Sequence, residues 1–223
     1  MSDTIQALTR AMNTDIQGIN VVSHNVANIN TPGYQGVRAL PDFAGTVGLD
    51  RQVQLGDGPL KQTARMLDLA LRGNGFFVVE RDGQSMLTRA GNFTRDAGGT
   101  LVTAAGDRVM TDTGELTLPE GNVRVDGDGG VWSPDGRQLA KLSIVAVADP
   151  ARLQPVAGGY RYDGEYLAWS GNVQQGATEQ SNVDAAEQTL RLIELTRHVE
   201  SVQRVVSIYD RTLDVGINRI GDN

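Results

Sequence analysis

The sequence predicts an α+β chain in which long amphipathic helices at both ends flank an all-β middle. Three observations predict it. Apolar residues recur at alternating steps of three and four in both terminal segments, the signature of a helical seam. Between residues 67 and 169, short runs of β-branched and aromatic residues alternate with Asp-Gly and Ala-Gly pairs, which are turn signals. The 27 glycines crowd into the centre, so the parts of the chain obey different physics.

In the first helical segment, Ile5, Leu8, Met12, Ile19, Val22, Val26 and Ile29 form the heptad seam. Asp15 stands where an apolar residue belongs, and Ile16 beside it is expected to restore part of the stripe. Thr31-Pro32-Gly33 should end the helix at Asn30, because proline disfavours helical geometry in the residue before it. Such a helix is a rod of roughly 39 Å. Residues 34–66 show no sustained period and carry Gly45, Gly48, Gly56 and Gly58, so they read as an extended connector.

The middle, residues 67–169, divides into Phe76–Glu80, Leu101–Thr103, Val123–Val125, Val131–Ser133 and Leu139–Val147, each bounded by a turn. A return connector, residues 170–181, leads to the second helical segment, residues 182–223. There Leu192, Leu195, Val199, Val202, Val206, Tyr209, Leu213 and Ile220 hold a seam interrupted only by Gly216. Val205, Ile208 and Val215 lie beside it and widen the apolar face beyond what one partner helix needs. Ser181, with Asp184 three residues on, resembles a capping box for a helix from about Val183 to Ile220. The helix of residues 1–33 and that of 182–223 are expected to pair as one coiled-coil-like domain.

Chemistry finds little purchase in this chain. A net charge of −7 with no basic run argues against nucleic acid. The most apolar run, Leu142–Ala148, is far shorter than the ~20 residues of a membrane helix, so no direct membrane insertion is expected. The amino-terminal segment lacks a charged n-region and an apolar h-region, which predicts export without a cleaved signal peptide if the chain is exported. With no cysteine, thiolate sites and disulfides are excluded. His24 and His198 lack the spacing of a metal-binding pair, and neither a Gly-x-Ser-x-Gly elbow nor a Walker loop occurs. Asp126-Gly127-Asp128-Gly129-Gly130 starts like a calcium loop, but Gly130 occupies the third ligand position; a hairpin turn is the better reading. No catalytic, cofactor-binding or metal residue is expected. These features describe a non-enzymatic assembly subunit.

Motifs sharpen the reading. Ser23-His24-Asn25-Val26-Ala27-Asn28-Ile29-Asn30-Thr31-Pro32-Gly33-Tyr34 closely resembles the signature of the bacterial flagellar axial proteins of rod and hook. Its bearers here are Ser23, Asn25, Ala27, Asn28, Thr31, Gly33 and Tyr34. Leu67 to Val79, Thr88-Arg89-Ala90-Gly91-Asn92-Phe93 and Gly99 to Thr103 resemble the family's first β-strands, and Ser181-Asn182-Val183-Asp184 the opening of its carboxyl-terminal helix. The resemblance implies a basal-body rod subunit, most like a proximal rod protein with a hook-like β-domain; a distal rod or short hook-type subunit comes next. Its implied partners are copies of itself, other rod subunits and the flagellar type III export apparatus, and its implied place is the periplasm-spanning rod. No cofactor is implied. From another class, a rod-associated peptidoglycan hydrolase would need a carboxylate pair in a cleft.

Overall fold

In a computed structural model, residues 2–41 and 49–221 are described, with side chains at 5–40, 51–209 and 211–212. Two compact units result. One comprises residues 1–27, 37–51 and 184–223; the other comprises 28–36 and 52–183. Within the first, helix α1 spans Ser2–Ala27 and helix α2 spans Ala185–Gly221. α1 stops three residues short of the expected Asn30, because the chain turns at once: the Thr31 N–H donates to the Asn28 carbonyl at 3.0 Å and Gly33 adopts a positive φ of 67°. Neither helix, among the described residues, is long and apolar enough to cross a membrane.

The second unit is β-rich. Phe76–Arg81 is the strand around which its ten-stranded sheet is built. On one side it pairs antiparallel with Gln84–Thr88 across the two-residue turn Asp82-Gly83. Both turn residues have positive φ, 50° and 75°, the I′-type geometry whose twist matches that of the flanking strands. On its other side the same strand meets Arg108–Thr111 and Ile144–Val147. A separate three-stranded sheet joins Arg124–Val125, Gly130–Trp132 and Gln138–Lys141.

The run Leu139–Val147, expected as one strand, is two. Gln138–Lys141 pairs within the small sheet and Ile144–Val147 within the large one. Between them the Leu142 N–H donates to Gly129 and the Ser143 N–H to Met110, so the chain changes partner without leaving a donor unpaired. Within residues 34–66, strands form at Val37–Pro41, Leu49–Val53 and Leu60–Gln62. Leu60–Gln62 pairs with Ala177–Glu179, and Leu69–Arg72 with Asn172–Gln175. The ladders thus join both ends of the β unit.

Leu69, Leu71, Phe77, Val79, Phe93, Val109 and Val131, each 1% exposed or less, centre the core. Phe77 and Phe93 meet edge to face, with ring centroids 5.0 Å apart. In the Asp126 turn, Oδ1 accepts from the N–H of Asp128 and of Gly130, and Oδ2 from the Trp132 indole at 2.7 Å. Burial would raise this carboxyl, but those bonds hold it below its ordinary value. Asp126 is engaged in turn architecture.

Arg81 clamps Asp107 with two bonds, Nε to Oδ1 at 2.5 Å and one terminal amine to Oδ2 at 2.6 Å. The guanidinium bonds outweigh burial and hold the Asp107 carboxyl below the usual aspartate value. A depressed carboxylate contributes stability that is present above the unfolded value of about 3.9 and is lost as pH falls through the folded one. Asp107→Asn should therefore lower the urea midpoint near pH 7, and the gap to the parent should close progressively below pH 4; a gap independent of pH would contradict the clamp.

Candidate assembly interface

α2 opens at Ala185 with Asp184 as its cap: Oδ1 accepts from the N–H of Ala186 at 2.7 Å and of Glu187 at 3.3 Å. Ser181 lies one turn earlier, its Oγ accepting from the Val183 N–H at 3.2 Å, so it closes the approach to the helix. α1 and α2 run antiparallel in one constant register. His198 meets Asp15, Leu195 lies against Gly18, and Gln188 meets Asn25, each step along α1 being matched by an equal step back along α2.

The contact face of α1 is not centred on its apolar stripe. Asp15, Gly18, Val21, Val22 and Asn25 are buried, whereas Ile5, Ile16 and Val26 are 42–49% exposed. Leu8, Met12 and Ile19 are half-buried, as is Ile29 beyond the helix. At 3.6 residues per turn the expected seam lies roughly a quarter turn from the face that meets α2. Ile16 does not restore the stripe at Asp15; Asp15 points inward and Ile16 outward. On α2, Val202 is buried, Leu195, Val199 and Tyr209 are half-buried, and Leu192 and Val206 are each 37% exposed. Leu213 and Ile220 lie on the helical backbone, their side chains outside the described residues. Further apolar side chains stay open on α2, in two pairs separated by the exposed Arg197 and Arg204: Leu190 is 63% exposed, Ile193 46%, Val205 47% and Ile208 64%.

In the β unit the motif residues converge on a buried charge. Glu179, whose side chain is fully buried, accepts from Arg89 Nε at 2.5 Å; Arg89 is itself 3% exposed. Arg89 also donates to Asp57 at 2.7 Å and to the carbonyls of Gly73 and Gly75. Glu179 Oε1 accepts from the Gly58 N–H at 2.8 Å and from Gln35 Nε2 at 3.3 Å. Asn182 completes the cluster: its Oδ1 accepts from Gly36 N–H at 2.7 Å, and its amide donates to Gln35 Oε1, Gln54 O and Gly56 O. The backbones join as well, Gly33 N–H to Glu179 O and Asn182 N–H to Tyr34 O. Outgoing and returning connectors are thus fastened side by side.

Burial pushes the Glu179 carboxyl above its ordinary value, opposed by the Arg89 and Gly58 bonds, and it likewise raises the phenol of Tyr160, which packs over Gln35. Desolvation offsets much of the attraction in such a pair, yet an unpaired partner would be costly. Gly33 has a second constraint: a Cβ there would stand 2.3 Å from the Ala90 nitrogen.

Three family models match this architecture. Residues 5–35 match the flagella basal body rod protein model, 70–133 the D1 domain of the flagellar hook protein FlgE/F/G, and 174–220 the carboxyl-terminal model of the flagellar basal body rod proteins FlgEFG. Rod proteins are similar over nearly the whole chain. The flagellar basal-body rod protein FlgG of Agrobacterium fabrum is 27% identical, covering 92% of this chain and 94% of its own, and the FlgF of Rhizobium meliloti is 28% identical, covering 91% of each. The hook protein FlgE of Brucella abortus is 31% identical over 71% of this chain but only 44% of its own length.

The chain belongs to the flagellar rod and hook family. That family is structural and non-enzymatic, and nothing in these relatives supports the hydrolase alternative. Its matched segments fall on α1 and its exit, on the first half of the β unit, and on the last return strand with α2.

Of the signature residues, Asn25 is 2% exposed and Gly33 buried, Asn28 and Tyr34 are half-buried, and Ser23, Ala27 and Thr31 are exposed. Sequence reasoning named neither Glu179 nor Arg89 as a site, because one glutamate and one arginine 90 residues apart leave no periodic trace; Arg89 did fall within a quoted motif. Arg89→Met should destabilise the β unit by ~3–5 kcal/mol by stranding Glu179. Thermal unfolding should fall by about 10 °C, with partial recovery in the double variant Arg89→Met/Glu179→Gln; an unchanged melting temperature would exclude the pair as a structural tie.

Proposed function

We propose that this chain is a structural subunit of the flagellar rod that polymerises through its terminal helices and occupies the proximal part of the rod. The observation that carries the reading is the apolar surface left uncovered on α1 and α2. Leu190, Ile193, Val205 and Ile208 stand open on one helix, and Ile5, Ile16 and Val26 on the other. Leu190 with Ile193, and Val205 with Ile208, make exposed apolar pairs one turn long, and apolar patches of this kind mark interaction sites. When each copy offers two different faces to its neighbours, the contacts do not close, and a helical filament follows. Partners of this chemistry are further copies and other rod subunits, packed as a coiled-coil-like bundle along the seams. In this reading the subunit leaves the cell through the flagellar type III apparatus and stands in the periplasm-spanning rod.

Coverage supports rod over hook, since the rod proteins are matched over 91–94% of their own length and the hook protein over 44%. The alignments favour a FlgF-like subunit, which this reading takes as the proximal one. Similarity to FlgF proteins extends over 229 and 234 residues, against 260 for the Agrobacterium FlgG, so this 223-residue chain needs fewer gaps to follow the FlgF pattern. The comparable identity to FlgG keeps the distal position as the second reading.

Leu190→Asp with Ile193→Asp should leave the helical circular dichroism of the purified chain intact, because both side chains are exposed, yet abolish rod incorporation and swimming. Normal swimming in a deletion strain carrying this variant would refute assembly through α2. A tagged subunit in a map of intact basal bodies should lie nearest the inner-membrane ring; density next to the hook would establish the distal reading.

A further inference from the structure

We propose that the pairing register of α1 with α2 is set by polar contacts within their shared face, with Asp15–His198 and Asn25–Gln188 as the selecting pairs. This concerns how one chain folds its own helices, so its test does not depend on where the subunit assembles.

Apolar packing gives the register little definition. Among the buried described residues of α1, only Val21 and Val22 are branched and apolar; the others, Asp15, Gly18 and Asn25, each meet α2. A smooth apolar seam tolerates sliding by a heptad, whereas a buried polar group must find its partner. Asp15 is 6% exposed, and His198 Nδ1 lies 2.6 Å from its Oδ2; a carboxylate only accepts, so that nitrogen carries the hydrogen. Asn25 is fully engaged. Its amide donates to Gln188 Oε1 at 3.0 Å and to Val37 O at 2.8 Å, while its Oδ1 accepts from Val37 N–H at 2.9 Å. Between the two pairs, Leu195 fits the notch at Gly18, where a Cβ would stand 3.2 Å from its methyl carbons.

Sliding by one heptad breaks all three contacts. In one direction Asp15 would come level with Val205 and Asn25 with Leu195, burying polar groups against hydrocarbon. In the other, Asn25 would come level with Ser181, before α2 begins at Ala185. Only the observed register satisfies both pairs and fills the notch. Asn25 therefore serves as a positioning residue, joining α1, α2 and the strand that opens at Val37.

The chain has no native cysteine, so introduced pairs report register directly. Ala11→Cys with Val202→Cys marks the observed register; Ala11→Cys with Tyr209→Cys marks a slip of one heptad. Under mild oxidation of dilute full-length chain, only the first pair should cross-link within one molecule. Adding Asp15→Leu and Asn25→Leu should raise slipped cross-linking relative to in-register cross-linking by at least roughly twofold, the lower end of the coupling between contacting side chains. An unchanged ratio, or slipped cross-links already in the parent, would overturn the proposal. Should the double leucine variant not fold, Asp15→His alone should lower in-register cross-linking and Asp15→His/His198→Asp restore it. A double variant no better than the single would equally overturn it.

Discussion

A carboxylate sealed from water has few stable arrangements, and the β unit is organised around one of them. Glu179 is surrounded by donors: the Arg89 guanidinium, the Gly58 N–H and the Gln35 amide. Each donor belongs to a different stretch of chain, so satisfying one charge fixes the outgoing connector, the return connector and the first β-strands together. Gly33, Gln35 and Asn182 belong to the two boundaries of the β unit, and all three bond within this cluster or to its backbone. Gly33, Arg89 and Asn182, from three separate motifs, are thereby parts of one polar closure.

The helical unit solves a different problem. Its helices must recognise each other inside one chain, and in the proposed assembly they must also leave apolar surface for neighbours. On α1 these demands fall on different faces, a polar and small-residue face towards α2 and an aliphatic face turned aside. Asp15, which breaks the heptad pattern, is buried against His198 because the pattern belongs to the other face. On α2 the inward seam and the open pairs Leu190/Ile193 and Val205/Ile208 share one helix long enough to carry both.

Legibility followed locality. Helix limits were readable to within three residues, since periodicity, proline and a capping aspartate act over a single turn. Asp82-Gly83 was readable because a two-residue hairpin needs positive φ at both positions. Strand partners were not. Ile144 pairs with Phe77, 67 residues away, and no local pattern encodes that choice. The same limit made Leu139–Val147 look like one strand: apolar character continues through Leu142, but the backbone changes ladders there.

By itself, the sequence determined that this chain has helical ends, a turn-rich β middle, no thiol chemistry and the signature of flagellar axial proteins, because periodicity, composition and short motifs are local properties. Only the tertiary structure decided which helix face meets its partner, which strands share a sheet, and that Arg89 and Glu179 tie the connectors. Those choices depend on pairing groups far apart in the chain, where burial makes an unsatisfied polar atom costly and the fold pairs most of them.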